Sequence, residues 1–172
     1  MPFLLTPEEV DDKDLALLPE KVDGNFVLYH RINNQICADL LPEIESGKRV
    51  SRCIDILQPR RGMWDHSKVG IAGPPIKAGE NWLMIYHGVS SDGIYRLGAA
   101  LLDSSGTRVL SRTTDAIFSP EMQFEKEGEV PSVVFACGTV VRGDKLFLYY
   151  GAADRVIGVA TASLAHMLET FL

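Results

Sequence analysis

Cysteine is scarce in this chain, and basic charge is outweighed. The 172 residues hold three cysteines, Cys37, Cys53 and Cys137, an odd number with no CxxC pair among them. That pattern speaks against a disulfide framework and against a zinc site. It predicts buried thiols in a reducing compartment, with the cytoplasm as the default. Lys and Arg number 17 against 23 Asp and Glu, for a net charge of −6. A phosphate backbone calls for a clustered positive field, so nucleic acid is not expected as a partner. A small basic pocket for one anion remains compatible with that balance. No run approaches the roughly 18 apolar residues of a membrane span, so no membrane partner is expected either. The opening "MPFLLTPEEVDDKD" has neither the basic lead nor the apolar core of a signal peptide. GxSxG, HExxH and GxxxxGKS are missing, which removes three familiar catalytic templates. Histidines number only four, and no ligand spacing among them supports a metal site.

What is present is a repeat. "GNFVLYHR" (24–31), "NWLMIYHG" (81–88) and "DKLFLYYG" (144–151) each run from a turn residue through β-branched and aromatic residues to a tyrosine. Aligned on Tyr29, Tyr86 and Tyr149, they are spaced by 57 and 63 residues. Each is followed by a polar turn ("NN", "SSDG" or "ADR") and then a second strand-like run, "NQICADLLPE", "YRLGAALLD" or "RVIGVATASL". That is a hairpin pattern. Units of this kind cannot bury their own faces alone, and blades of a β-propeller are the natural reading, with a β-sandwich as the alternative. Helical spacing is confined to "ASLAHMLETF", where Leu164, Met167, Leu168 and Phe171 share a face.

In a propeller, equivalent repeat positions converge on a central pocket. Under this alignment His30, His87 and Tyr150 take one slot, followed by Arg31 in the first copy, with Asp154 in the third hairpin turn. The loop "GMWDHSKVGIAGPPIK" adds Trp64, Asp65, His66, Lys68 and Lys77. Each has a plainer reading by itself. Lys68 could be a solvated loop lysine, His87 a hydrogen-bonded core histidine, Asp154 a turn aspartate, and Arg60-Arg61 a surface pair.

The ordered motifs "DKDLALLPEKVDGNFVLYHRI", "WDHSKVGIAGPPIK", "NWLMIYHGV", "YRLGAALLD", "VPSVVFACGTVV" and "LFLYYGAAD" together resemble glycoside hydrolase family 130. Those are the mannoside phosphorylases and related β-mannosidases, and the resemblance runs from about residue 11 to the end. It implies an all-β fold, a five-bladed β-propeller of which residues 1–172 form a partial domain of about three blades (roughly 11–60, 61–120 and 121–172). It also implies inverting phosphorolysis of a β-mannoside or manno-oligosaccharide to mannose 1-phosphate. Inorganic phosphate is then the co-substrate, and no cofactor is needed.

Phosphate is already an anionic nucleophile. It needs cationic clamps where an inverting hydrolase needs a second carboxylate. The resemblance assigns phosphate binding to Lys68 and His87 and sugar binding to Asp154 and Tyr150. His30, Arg31, Asp65 and Lys77 follow as candidate pocket lining. A bound phosphate would favour protonated His87. The family's general-acid aspartate has no counterpart here: Asp12 and Asp14 do not occupy its motif, so no catalytic residue is assigned. Ser132 and Ala136 stand where asparagine and proline would be expected. Turnover by this chain alone is therefore not expected, and a non-catalytic carbohydrate- or anion-binding propeller fragment or a structural partner is the alternative. Three blades leave open faces, which predicts a homo-oligomer.

Overall fold

The computed structural model describes residues 1–50 and 52–171. The chain is almost entirely β. The first sheet orders β1 (Asp12–Leu17), β2 (Phe26–Ile32), β3 (Gln35–Leu41) and β4 (Ile54–Leu57) consecutively. The second contains β5 (Lys68–Ile71), β6 (Ile76–Ala78), β7 (Asn81–Val89), β8 (Tyr95–Leu102) and β9 (Val109–Arg112), with β5 and β6 both paired to β7. The third is β10 (Val134–Arg142), β11 (Lys145–Ala152) and β12 (Val156–Ser163). All strand pairings within these sheets are antiparallel. Among the described residues no helix is long and apolar enough to cross a membrane.

Period-2 alternation on β7 explains the layering. Trp82, Met84 and Tyr86 face the first sheet, packing with Val27, Tyr29, Ile36 and Ala38. Leu83 and Ile85 face the third, packing with Val134, Leu146, Leu148 and Tyr150. A central sheet buried on both faces reads as a near-continuous apolar run, and β7 does so. Sheet stacked on sheet in chain order is the arrangement of a partial β-propeller.

The three hairpins form where the repeat places them: β2–β3 around Asn33-Asn34, β7–β8 around 90–94, and β11–β12 around 153–155. Asn33 takes a left-handed φ of 58°, as a two-residue hairpin asks of its turn. The third copy is nevertheless one residue out of register with its alignment. Tyr86 lies opposite Gly98 and Tyr150 opposite Gly158, and a Cβ on either glycine would overlap the tyrosine ring. Tyr150 is therefore the partner of Tyr86, not of His87. Tandem tyrosines in "LYYG" offer two alignments, and only the buried one packs; Tyr149 is 42% exposed.

Helix α2 (Leu164–Glu169) is capped by the Ser163 Oγ, which accepts from the His166 N–H at 3.1 Å. Leu164, Met167, Leu168 and Phe171 pack on the core between the second and third sheets, as their spacing predicts. A second helix, α1 (Gln123–Lys126), is a single turn, too short to carry a periodic signal. Buried Glu125 holds it, accepting from the Glu121 and Met122 N–H groups at 2.7 and 2.8 Å and from the Tyr150 hydroxyl at 2.6 Å.

The thiol reading needs correction. Cys37 and Cys53 form a disulfide across a separation of 16 residues, and Cys137 is free and exposed. Strands β3 and β4 pair Cys37 with Asp55, so the chain's return brings Cys53 alongside despite the linear distance. Closing a loop of this size restricts the unfolded chain by about 3 kcal/mol. Cys53→Ser is expected to lower unfolding stability by about that amount under non-reducing conditions, measured by urea denaturation. Thiol titration of the denatured wild type should find one reactive group.

Candidate functional site

The strands place a polar cluster where all three sheets meet. Lys68 opens β5 opposite Val89, and Gly70 lies opposite His87. The β7–β8 register then pairs Val89 with Tyr95, which carries the line across. Lys68 Nζ donates to the Tyr95 hydroxyl at 2.7 Å and sits 4.9 Å from that ring's centroid. The His87 ring lies 4.5 Å from Phe135 of β10 and 6.1 Å from Tyr95. Its Nε2 approaches the Asp14 carboxylate of β1 at 3.5 Å. His87 thus touches the first sheet with one atom and the third with its ring face. Gly70 is required beneath it, since a Cβ there would overlap both the imidazole and Asp14 Oδ2.

On the first sheet, Arg31 Nε lies 2.8 Å from Asp14 Oδ2, and His30 Nδ1 lies 2.8 Å from Asp12 Oδ2. Three buried polar atoms here have no well-aligned hydrogen bond: Asp14 Oδ2, Arg31 Nε and His87 Nδ1. The Arg31–Asp14 contact is thus an ion pair without hydrogen-bond alignment. Buried polar groups are almost always satisfied, so His87 Nδ1 and the imperfectly aligned Arg31–Asp14 pair make this the candidate site. Beside them is an opening of about 310 Å³ lined by Tyr95, Val130, Val133, Phe135 and Asp154.

Charge here is finely set. Burial, with the Arg31 and Lys68 cations nearby, pushes His87 down to about 3. Burial also raises the Asp14 carboxyl, outweighing the opposing pull of Arg31, Lys68 and Lys13. His87 is therefore neutral at pH 7 and becomes cationic at that pH only if an anion joins it. The sign for stability follows. The unfolded chain binds a proton on His87 near pH 6.5 and the folded chain only near 3, so stability falls as pH drops through that window. Between pH 7 and pH 5 the loss is expected to be about 2 kcal/mol. Urea midpoints at the two pH values, compared with those of His87→Gln, measure it; the variant should lose most of the difference.

The structure brings Lys68, His87 and Arg31 into this cluster and sets Asp154 on the rim of the neighbouring opening. Asp154 sits in the β11–β12 turn with φ of 50°. Tyr150 lies deeper, 4% exposed, with its hydroxyl committed to Glu125. Three residues of the sequence-based set lie elsewhere. His30 alternates to the far face of the first sheet from Arg31, paired with Asp12 at 2.8 Å. Lys77 pairs with Glu20 at 2.9 Å and covers the Trp82 ring, on the surface. Asp65 is fully buried, paired with Arg60 at 2.8 Å and Arg112 at 2.6 Å, and accepts from the Tyr86 hydroxyl at 3.0 Å. Its role is to hold the sheet, and Arg60 is no surface residue. Tyr95, Phe135 and Asp14 were not anticipated. Their side chains reach the cluster only through inter-strand pairing, and nothing in their local spacing announces it. Among the described residues no group of three or more His, Cys, Asp or Glu is arranged to hold a metal ion.

Residues 4–171 match a protein-family model, glycoside hydrolase family 130, described as β-1,4-mannooligosaccharide phosphorylase. A β-1,2-mannobiose phosphorylase of Thermoanaerobacter sp. (strain X514) is 44% identical over 150 residues, 87% of this chain and 49% of that protein. A 1,2-β-oligomannan phosphorylase of the same organism is 41% identical over 87% of this chain and 50% of its own length. The solved structure of the Listeria innocua β-1,2-mannobiose phosphorylase, bound to β-1,2-mannobiose, superposes with a TM-score of 0.87 at 35% identity, covering 94% of this chain and 47% of that one. The chain spans about half the length of the curated relatives it matches. On a match that runs from residue 4 to residue 171, the chain belongs to glycoside hydrolase family 130.

Proposed function

We propose that this chain is the phosphate-binding portion of a β-mannoside phosphorylase. One observation carries the reading. Lys68, His87 and Arg31, drawn from two sheets, gather around the Asp14 carboxylate and the unbonded His87 Nδ1, beside an opening with Asp154 at its edge. Such a pocket suits an anion that needs cationic positioning rather than activation. Phosphate oxygen attacks the anomeric carbon, the glycosidic C–O bond breaks, and the leaving oxygen takes a proton from an acid not assigned in this chain. The neighbouring Asp154 offers acceptor oxygens for a pair of sugar hydroxyls, with Tyr150 supporting from beneath. Relatives at 41% and 44% identity act on β-1,2-linked mannosides, so a β-1,2-mannoside is the substrate proposed.

By itself the chain is proposed to bind anion and sugar without turning over. Incubated with β-1,2-mannobiose and phosphate it should yield no mannose 1-phosphate. Fused behind the amino-terminal half of the Thermoanaerobacter relative, it should yield mannose 1-phosphate only when phosphate is present. Equal cleavage without phosphate would contradict phosphorolysis, and turnover by the chain alone would contradict the division of labour. Association is part of the proposal. Val140, Tyr149, Ile157 and Val159 form an exposed apolar face on the third sheet, with Ile157 85% exposed. Light scattering should give a mass above the 19.0 kDa of one chain.

A further inference from the structure

Asp14 presses against the Arg31 and Lys68 cations of the pocket, and a carboxylate should repel the anion those cations attract. Its placement is nonetheless enforced by the backbone. The β1–β2 pairing runs through Lys13↔Arg31, then shifts before Ala16↔Tyr29. Within that irregularity Asp14 adopts a φ of 56°. Left-handed backbone at a non-glycine residue is costly and persists where surroundings demand it, and bulges serve to re-aim side chains. The carboxylate is thereby delivered to Arg31 Nε at 2.8 Å and His87 Nε2 at 3.5 Å, against the Cα of Gly70. Its Oδ2 is buried between Arg31 and His87, while the side chain as a whole keeps 17% exposure and so remains open to a guest.

A carboxylate is an acceptor only. Next to a fully ionised guest it repels, and next to a guest that brings its own proton it makes a charge-assisted hydrogen bond. Hydrogen phosphate carries a P–OH at neutral pH, whereas sulfate, alike in size and shape, carries no proton. We propose that Asp14 is a specificity residue of the anion pocket: its carboxylate accepts the P–OH hydrogen bond, so that the pocket takes hydrogen phosphate and rejects sulfate. This rests on the reading of the pocket as a phosphate site. Arg31, Lys68 and His87 supply attraction common to both anions, and Asp14 supplies the difference.

The test is the shift in thermal unfolding midpoint on adding potassium phosphate or potassium sulfate at matched ionic strength, from which the two dissociation constants follow. The wild type should prefer phosphate by about tenfold or more, the scale of one hydrogen bond to a charged group. Asp14→Asn, whose amide can donate to sulfate, should bring the two constants to within about twofold to threefold of each other. Equal shifts by both anions in the wild type would overturn the proposal, as would an Asp14→Asn protein that keeps the full preference. The wild-type comparison decides even if that variant does not fold. Lys68→Ala separates the two levels. Equal wild-type shifts that vanish in Lys68→Ala sink the selectivity and leave the anion site standing. No shift by either anion, or a phosphate shift untouched by Lys68→Ala, sinks the phosphate reading and this inference with it.

Discussion

Asp65→Ala is expected to destabilise the chain by about 3–5 kcal/mol, the cost of breaking a buried ion pair from one side. Asp65 is fully buried, and three donors depend on it. Arg60 approaches through Nε and Nη2, Arg112 through Nη2, and the Tyr86 hydroxyl donates at 3.0 Å. Removing the carboxylate leaves two guanidinium groups facing each other beside a buried phenol. Those guanidiniums also tie outward segments together, Arg60 to the Thr113 carbonyl and Arg112 to that of Gln58. Asn in place of Asp65 keeps the shape and loses the charge, so it should recover only part of the loss. Urea denaturation followed by tryptophan fluorescence is a suitable readout, because Trp64 stacks on Tyr86 at 5.7 Å and reports on this spot. A loss below about 1 kcal/mol would mean the cluster is a solvated surface network.

Lys68→Ala should reduce affinity for phosphate by about 30-fold or more, from loss of 2–5 kcal/mol when one member of a desolvated charge pair is truncated. Its effect on folding should be small, since the ammonium is half-buried and its one hydrogen bond is to the Tyr95 hydroxyl. Lys77→Ala is the matched control. That lysine bonds Glu20 on the surface and should leave phosphate affinity unchanged. Calorimetric titration of the two variants side by side separates a specific loss from a change in net charge. Equal affinities in Lys68→Ala and Lys77→Ala would show that Lys68 is an ordinary surface cation.

The hairpins and the carboxy-terminal helix were legible because each is written locally. Alternating apolar residues end at a turn that only a few residue types make well, and Leu164, Met167, Leu168 and Phe171 recur at helical spacing. The motifs around Lys68 and His87 single them out, and strand pairing sets both beside Tyr95. Whatever depends on strands distant in sequence was not legible. Asp14 meets His87 across 73 positions, and Tyr95 reaches Lys68 through two strand pairings. Cys53 meets Cys37 because β4 folds back on β3, which no spacing rule for cysteines encodes. Asp65 looked like a pocket residue because it neighbours His66 and Lys68 in the chain. Its side chain instead turns to Arg60 and Arg112, on the face that packs inward. The shift from Tyr149 to Tyr150 has the same origin, since burial and not the sequence repeat selects which tyrosine packs over a glycine.

Whether Lys68, Arg31 and His87 form an anion site is tested most directly by titrating inorganic phosphate into the 172-residue chain in a calorimeter. Saturable binding at one site per chain, accompanied by proton uptake as His87 becomes cationic, is the predicted result. Heats no larger than dilution, with no saturation at any accessible concentration, would contradict it.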